Sequence, residues 1–283
     1  MRLVISADDF ALTYATSKNI CEASKRGCVN SVSVVSNGYD FDSSIKLLRE
    51  SGEHLEVSVH LNLCEGLPVA PASEVGSLLN EQGNLHFSFQ GLWRKYLSSS
   101  PRKKGILKSE IKTEMDAQIT KIRDSLPYVK KIGINSHQHF HLMPPVFDAL
   151  LELNERHFFH YVRIIREPLF ISPDRLIAVK NIFSQNLAKL MLLNFLSEKH
   201  ASRLRSERIL YPDIFFGVLY TGFMSENTVL KALSLLKRKM HQDHFVELLL
   251  HPWRASPQER MFWRDRQPLG DYYCSEWRDH ENS

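Results

Sequence analysis

Several features that would settle a function at once are missing from this sequence. The four cysteines, Cys21, Cys28, Cys64 and Cys274, form no Cys-x-x-Cys pair, which excludes a zinc ribbon or a thioredoxin-type redox site. No stretch reaches the roughly 18–20 apolar residues of a membrane span. The start, Met1-Arg-Leu-Val-Ile-Ser6, enters a strand pattern without the apolar core of a secretory signal. The compartment expected from these traits is the reducing cytoplasm. No Gly-x-Gly-x-x-Gly follows any strand pattern, so a dinucleotide fold lacks its fingerprint. A strong charge excess is absent too: at +4 over 283 residues, nucleic acid is not a required partner, while anionic groups stay compatible.

What is present is regular. Apolar strand patterns at 2–7, 31–36, 55–60, 131–135, 161–166, 214–220 and 245–250 alternate with helical patterns, the rhythm of a parallel sheet. Seven such units without a linker-like break predict one domain over 1–283, an α/β fold of the irregular seven-stranded (β/α) barrel, TIM-like kind. An open doubly wound sheet is the alternative. Two insertions interrupt the rhythm. Leu61 to Gly105 is rich in Pro, Gly, Ser and Asn and reads as a long functional loop with little regular structure. Pro173 to Tyr211 contains a helical period at 179, 182, 183, 187, 190 and 191, followed by the cations Lys199, Arg203, Arg205 and Arg208. It is read either as packing or as a helix lying in a bilayer interface. The last thirty residues, with Trp253, Trp263 and Trp277, have no regular pattern.

The chemistry collects at strand ends, where a parallel α/β protein binds its ligands. Those ends carry Asp8 and Asp9, Asn37, His60 with Asn62, the cluster His137, His139 and His141, then Arg163 and Arg166, and His251. Each has a plain structural reading: an Asp pair caps helices, and a lone His is more often hydrogen-bonded than catalytic. Their recurrence at the same end of successive strands points to a site. One carboxylate with two imidazoles is a set for Zn²⁺, Mn²⁺, Fe²⁺ or Co²⁺ with positions left for water and substrate. Of two adjacent aspartates at a strand end, one can ligate while the other serves as general base.

Four blocks also resemble a known family. Ser6-Ala-Asp-Asp-Phe10, Val59-His-Leu-Asn-Leu-Cys-Glu-Gly66, Asn135-Ser-His-Gln-His-Phe-His141 and Leu250-His-Pro252 are similar, in order, to the signature blocks of the YdjC-like carbohydrate deacetylases. Val162-Arg-Ile-Ile-Arg-Glu-Pro168 and Asp213-Ile-Phe-Phe-Gly217 most resemble the branch associated with hopanoid biosynthesis. The resemblance implies a metal-dependent amidohydrolase that removes N-acetyl groups from amino sugars. It implies Asp9, His60 and His137 as ligands of one divalent ion (Mg²⁺ or Zn²⁺), Asp8 as proton acceptor and His251 as acid for the departing amine. His139, His141, Asn62, Arg163 and Arg166 are further candidates for metal or substrate contact, and a His137–His141 pair is an alternative ligand set. Ala11 stands where the family usually has Gly, a departure that matters if the turn needs positive φ. The expected substrate is an N-acetylated amino sugar, lipid-linked, reached from the inner face of the membrane through peripheral contact. Competing readings are a metal-dependent phosphoester hydrolase and an inactive sugar-binding barrel. The oligomeric state is not legible.

Overall fold

A computed structural model describes residues 2–51, 54–182, 184–239 and 244–252. Its strands are β1 (Arg2–Phe10), β2 (Ser31–Val34), β3 (Glu56–Leu61), β4 (Ile132–Ser136), β5 (Tyr161–Val162), β6 (Ile214–Phe216) and β7 (Phe245–Leu250). They form one sheet in the order β5-β4-β3-β2-β1-β7-β6. The helices are α1 (Tyr14–Lys25), α2 (Phe41–Ser51), α3 (Phe89–Ser98), α4 (Pro101–Ser125), α5 (Pro144–His157), α6 (Arg175–Ile182), α7 (Asn186–Ser206) and α8 (Glu226–Lys239). This is the seven-stranded, parallel, TIM-like α/β fold that the alternating pattern predicts. The Trp-containing segment beyond residue 252 lies outside the described residues.

Central strands are buried along their whole length, β2 and β4 at every position, as parallel strands covered on both faces must be. Gly133 is required in β4, because a Cβ there would collide with the Tyr161 ring and the Ser58 hydroxyl. Helix α4 starts with Pro101 in its first turn and buries Leu107, Ile111, Met115, Ile119 and Ile122 at three- and four-residue spacing.

The chain clusters into two compact units. One comprises Met1–Asp8, Glu22–Ser31 and Arg163–Ser283, the other Asp9–Cys21 and Val32–Val162. Neither unit is a continuous stretch of sequence.

Three details differ from the sequence reading. The first insertion holds short 3-10 turns at Ala72–Glu74 and Gly76–Leu78 and then two helices: Ser88 caps α3 by accepting the Gly91 N–H, and α4 begins at Pro101. The second insertion holds two helices, α6 and α7. Third, β5 and β6 are shorter than their apolar runs. Beyond β5, Ile165 donates its N–H to Ser197 Oγ at 2.8 Å and Glu167 its N–H to Asn194 Oδ1 at 3.1 Å. Beyond β6, the N–H groups of Gly217, Val218 and Leu219 go to the Glu167 carboxylate at 3.2, 2.8 and 3.2 Å. Side chains take the backbone donors that a ladder would have used.

Candidate metal centre

The end of β1 is shaped by two residues in left-handed conformation, Asp9 at φ 64° and Ala11 at φ 71°. Ala11 therefore occupies the turn that glycine would suit, at a cost of about 1 kcal/mol. Neighbours hold it there. Its N–H donates to Ser17 Oγ at 2.9 Å, Leu12 N–H donates to Asp9 O at 3.1 Å, and Gly38 packs so closely that a Cβ would strike the Ala11 carbonyl.

Asp9 meets two imidazoles from the ends of β3 and β4. Its Oδ1 lies 2.9 Å from His137 Nδ1 and 3.4 Å from His60 Nε2. One ligand atom from each of Asp9, His60 and His137 falls within 4.8 Å of the others, and all three side chains are buried. The orientation of His60 is fixed from behind. Asn135 Nδ2 donates to Ser33 Oγ at 2.7 Å, which turns Asn135 Oδ1 toward His60 Nδ1 at 2.6 Å. That oxygen needs a donor, so Nδ1 carries the proton and Nε2 presents its lone pair toward Asp9. Past His137, Gln138 and His139 are both left-handed (φ 52° and 61°), a strained pair of the kind found at binding sites.

The donor set fits a divalent ion. It offers one carboxylate oxygen and neutral imidazole nitrogens, with Nε2 of His60 already in ligand tautomer, and three protein donors leave coordination positions open. A thiolate is not among them. Burial first, then the charges of Glu65 and Asp9, push the Cys64 thiol well up, so it stays protonated.

Residues 2–283 match the profile of the YdjC-like protein family. The chain belongs to that family. Its curated relatives include a carbohydrate deacetylase of Xenopus laevis, 34% identical over 166 residues that make up 58% of this chain and 51% of that one. Another, from Mus musculus, is 28% identical and covers 89% and 78%. The chitooligosaccharide deacetylase of Proteus mirabilis is 24% identical and covers 88% and 80%. For the frog, zebrafish and human relatives, the matched region spans about half of the relative's length. A crystal structure from Enterococcus faecalis V583, of a protein named for cellobiose-phosphate cleavage, superposes with a TM-score of 0.63 at 22% identity, covering 98% of this chain and 92% of that one. It bears on the fold alone.

The other candidates of this YdjC-like chain are placed as follows. Asp8 is held by Arg163, whose NH1 donates to Oδ2 at 2.6 Å and NH2 to Oδ1 at 3.0 Å. Arg163 is wholly buried and also donates to Glu247 Oε1 at 2.8 Å and Ser6 Oγ at 3.1 Å. Arg163 thus grips two carboxylates and anchors Asp8. His251 follows Leu250, the register partner of Ala7, so it continues β7 where Asp8 continues β1. Arg166 is half-buried, 3.5 Å from Glu198 on α7. His141 Nδ1 lies 2.6 Å from Ser136 Oγ. Neither His141 nor His139 belongs to the group of potential ligands found among the described residues, Asp9, His60 and His137.

Asn62 shapes its loop: its Oδ1 accepts the N–H groups of Cys64 and Glu65, and its Nδ2 donates to Asn37 Oδ1. Sequence reasoning missed Glu65, whose Oε1 is 3.6 Å from His137 Nε2. It also missed Asn135 and Ser33 behind His60. Glu65 could have been found from its place five residues after His60, in the same irregular stretch. The loop is pinned by α4. Glu114 accepts the N–H groups of Val69 and Ala70 at 2.9 Å each, and Gln118 Oε1 accepts that of Asn62 at 2.9 Å.

Proposed function

We propose that the chain is a metal-dependent carbohydrate N-deacetylase, hydrolysing the N-acetyl group of an N-acetylhexosamine in a glycan or glycolipid. The observation that carries this reading is the buried Asp9–His60–His137 donor set with His60 held in ligand tautomer. The deacetylase names of its relatives support it. When bound, a divalent ion supplies the Lewis acidity that an acetamide, a poor electrophile, and a neutral water both need. Asp9, His60 and His137 would hold that ion. Asp8 accepts the proton of the attacking water; the Arg163 guanidinium, bonded to both of its oxygens, fixes its orientation. His251 gives a proton to the departing amine. The substrate we favour is a lipid-linked amino sugar, met on the cytoplasmic side of a membrane.

The test is acetate release by purified protein from free, nucleotide-linked and lipid-linked N-acetylhexosamines. Acetate should appear, stop on chelation and return with added Mg²⁺ or Zn²⁺. Phosphate release from an ester panel in place of acetate would replace the reading by phosphoester hydrolysis. Sugar binding without turnover would leave only the binding barrel.

A further inference from the structure

Seventeen large hydrophobic side chains are exposed among the described residues, and eight of them fall between residues 169 and 195. Helix α7 is apolar on two faces. One face, Leu190, Leu193, Leu196 and Leu204, is buried. The other is a stripe at four-residue spacing, Leu187, Met191 and Phe195, exposed at 45%, 56% and 57%. Lys199 continues the stripe, its Nζ 4.3 Å from the Phe195 ring centroid. On α6, which packs against α7, Leu176 and Val179 are exposed at 72% and 53%. Of the three side chains whose packing would have explained this insertion, Leu187, Leu190 and Met191, only Leu190 is inside.

Charge identifies what the open face fits. Between residues 169 and 211 there are seven Lys and Arg against three Asp and Glu, an excess equal to the net +4 of the whole chain. Lys199, Arg205 and Arg208 are exposed beyond the apolar stripe. A symmetric contact with a second copy would bring this excess against itself, whereas an anionic surface would neutralise it. No described helix is long and apolar enough to cross a membrane, so the arrangement suits a helix pair lying in the interface plane. We propose that α6 and α7 form a docking face for an anionic lipid surface. Leu176, Val179, Leu187, Met191 and Phe195 enter the boundary of the acyl chains, and Lys199, Arg205 and Arg208 meet headgroups. This deepens the lipid-linked substrate reading and rests on it for nothing except the choice of sugar carrier; docking and acetate release are read by separate assays.

Flotation of the full chain with vesicles of equimolar phosphatidylglycerol and phosphatidylcholine tests it, with pure phosphatidylcholine vesicles alongside. Wild-type protein should float with the anionic vesicles at low salt and leave them at high salt. A Leu187→Gln/Met191→Gln/Phe195→Gln variant alters exposed positions only, so it should keep the wild-type circular dichroism and lose about tenfold or more in bound fraction. A Lys199→Gln/Arg205→Gln/Arg208→Gln variant should lose at least as much, at about 1 kcal/mol per cation. Acetate release from a soluble substrate should be unchanged in both. Failure of the wild type to float, or equal flotation of the folded variants, would overturn the proposal. So would sedimentation showing a wild-type dimer that the apolar variant dissociates, which would assign the face to a second copy.

Discussion

Asp8 and Asp9 follow one another at the end of β1 and are almost equally buried, at 2% and 0% exposure, yet their surroundings are opposite. Asp8 has both oxygens taken by a guanidinium that also serves Glu247. Its charge is matched by a permanent cation, and nothing about it calls for a metal. Asp9 faces two imidazoles, one of which presents a lone pair. Three converging electron-pair donors out of contact with water are held together best by a cation among them. Burial alone does not mark a metal ligand; the kind of partner does. The positive φ of Asp9 gives two consecutive residues of one strand these different partners.

The largest expected effect comes from removing the cation that serves Asp8. Arg163→Gln leaves Asp8 and Glu247 buried without their counter-charge and should cost about 3–5 kcal/mol in urea unfolding; a loss below 1 kcal/mol would mean the ion network is dispensable.

Glu167 supplies a third kind of buried carboxylate, bonded to backbone N–H groups. Burial outweighs those three donors and pushes its pKa up to about 7. The folded state therefore binds a proton that the unfolded state has lost between the ordinary carboxylate range and pH 7. Stability should fall as pH rises through that window, by on the order of 3 kcal/mol from this group. Glu167→Gln should reduce the slope, leaving the part contributed by Glu114, which burial also pushes up, as pH-dependent melting would show; an unchanged slope would assign all of it to other groups.

Next comes the support behind His60. Asn135→Ala frees the ring to turn or change tautomer and should weaken metal binding about 10- to 100-fold in titration calorimetry. The fold should be kept, because the Asp9 and His137 contacts remain.

The smallest effect is at the turn that separates the two aspartates' surroundings. Ala11→Gly removes left-handed strain, offset in part by the backbone entropy it adds to the unfolded chain, so it should stabilise by no more than about 1 kcal/mol. Destabilisation in a thermal melt would show that the methyl group packs usefully.

Much of this was legible in the sequence because periodicity and strand-end position are local properties. The seven strands and the recurrence of Asp8 and Asp9, His60 and the His137 cluster at successive strand ends came from residues read in order; the choice of Asp9, His60 and His137 as one ligand set, and the question raised by Ala11, came from the family resemblance. What escaped was non-local. Arg163 looked like a substrate contact because its partners Asp8 and Glu247 are distant in sequence. The lengths of β5 and β6 escaped because Ser197 and Glu167 intercept their backbone donors. Asn135 could be seen beside the His cluster, but its grip on His60 needs β3 and β4 in register, with His60 opposite Asn135. Helix α7 was ambiguous because both of its faces are apolar in sequence, and only packing decides which one is covered.

The central claim is that Asp9, with His60 and His137, is the metal ligand while Asp8 is not. Metal content and acetate release measured together on Asp8→Asn and Asp9→Asn address it most directly. Asp8→Asn keeps Glu247 as a counter-charge for Arg163, so the protein should fold, bind metal at near wild-type stoichiometry and release no acetate. Asp9→Asn should fold and lose the metal. Equal metal loss in the two variants, or full metal content in Asp9→Asn, would contradict the account.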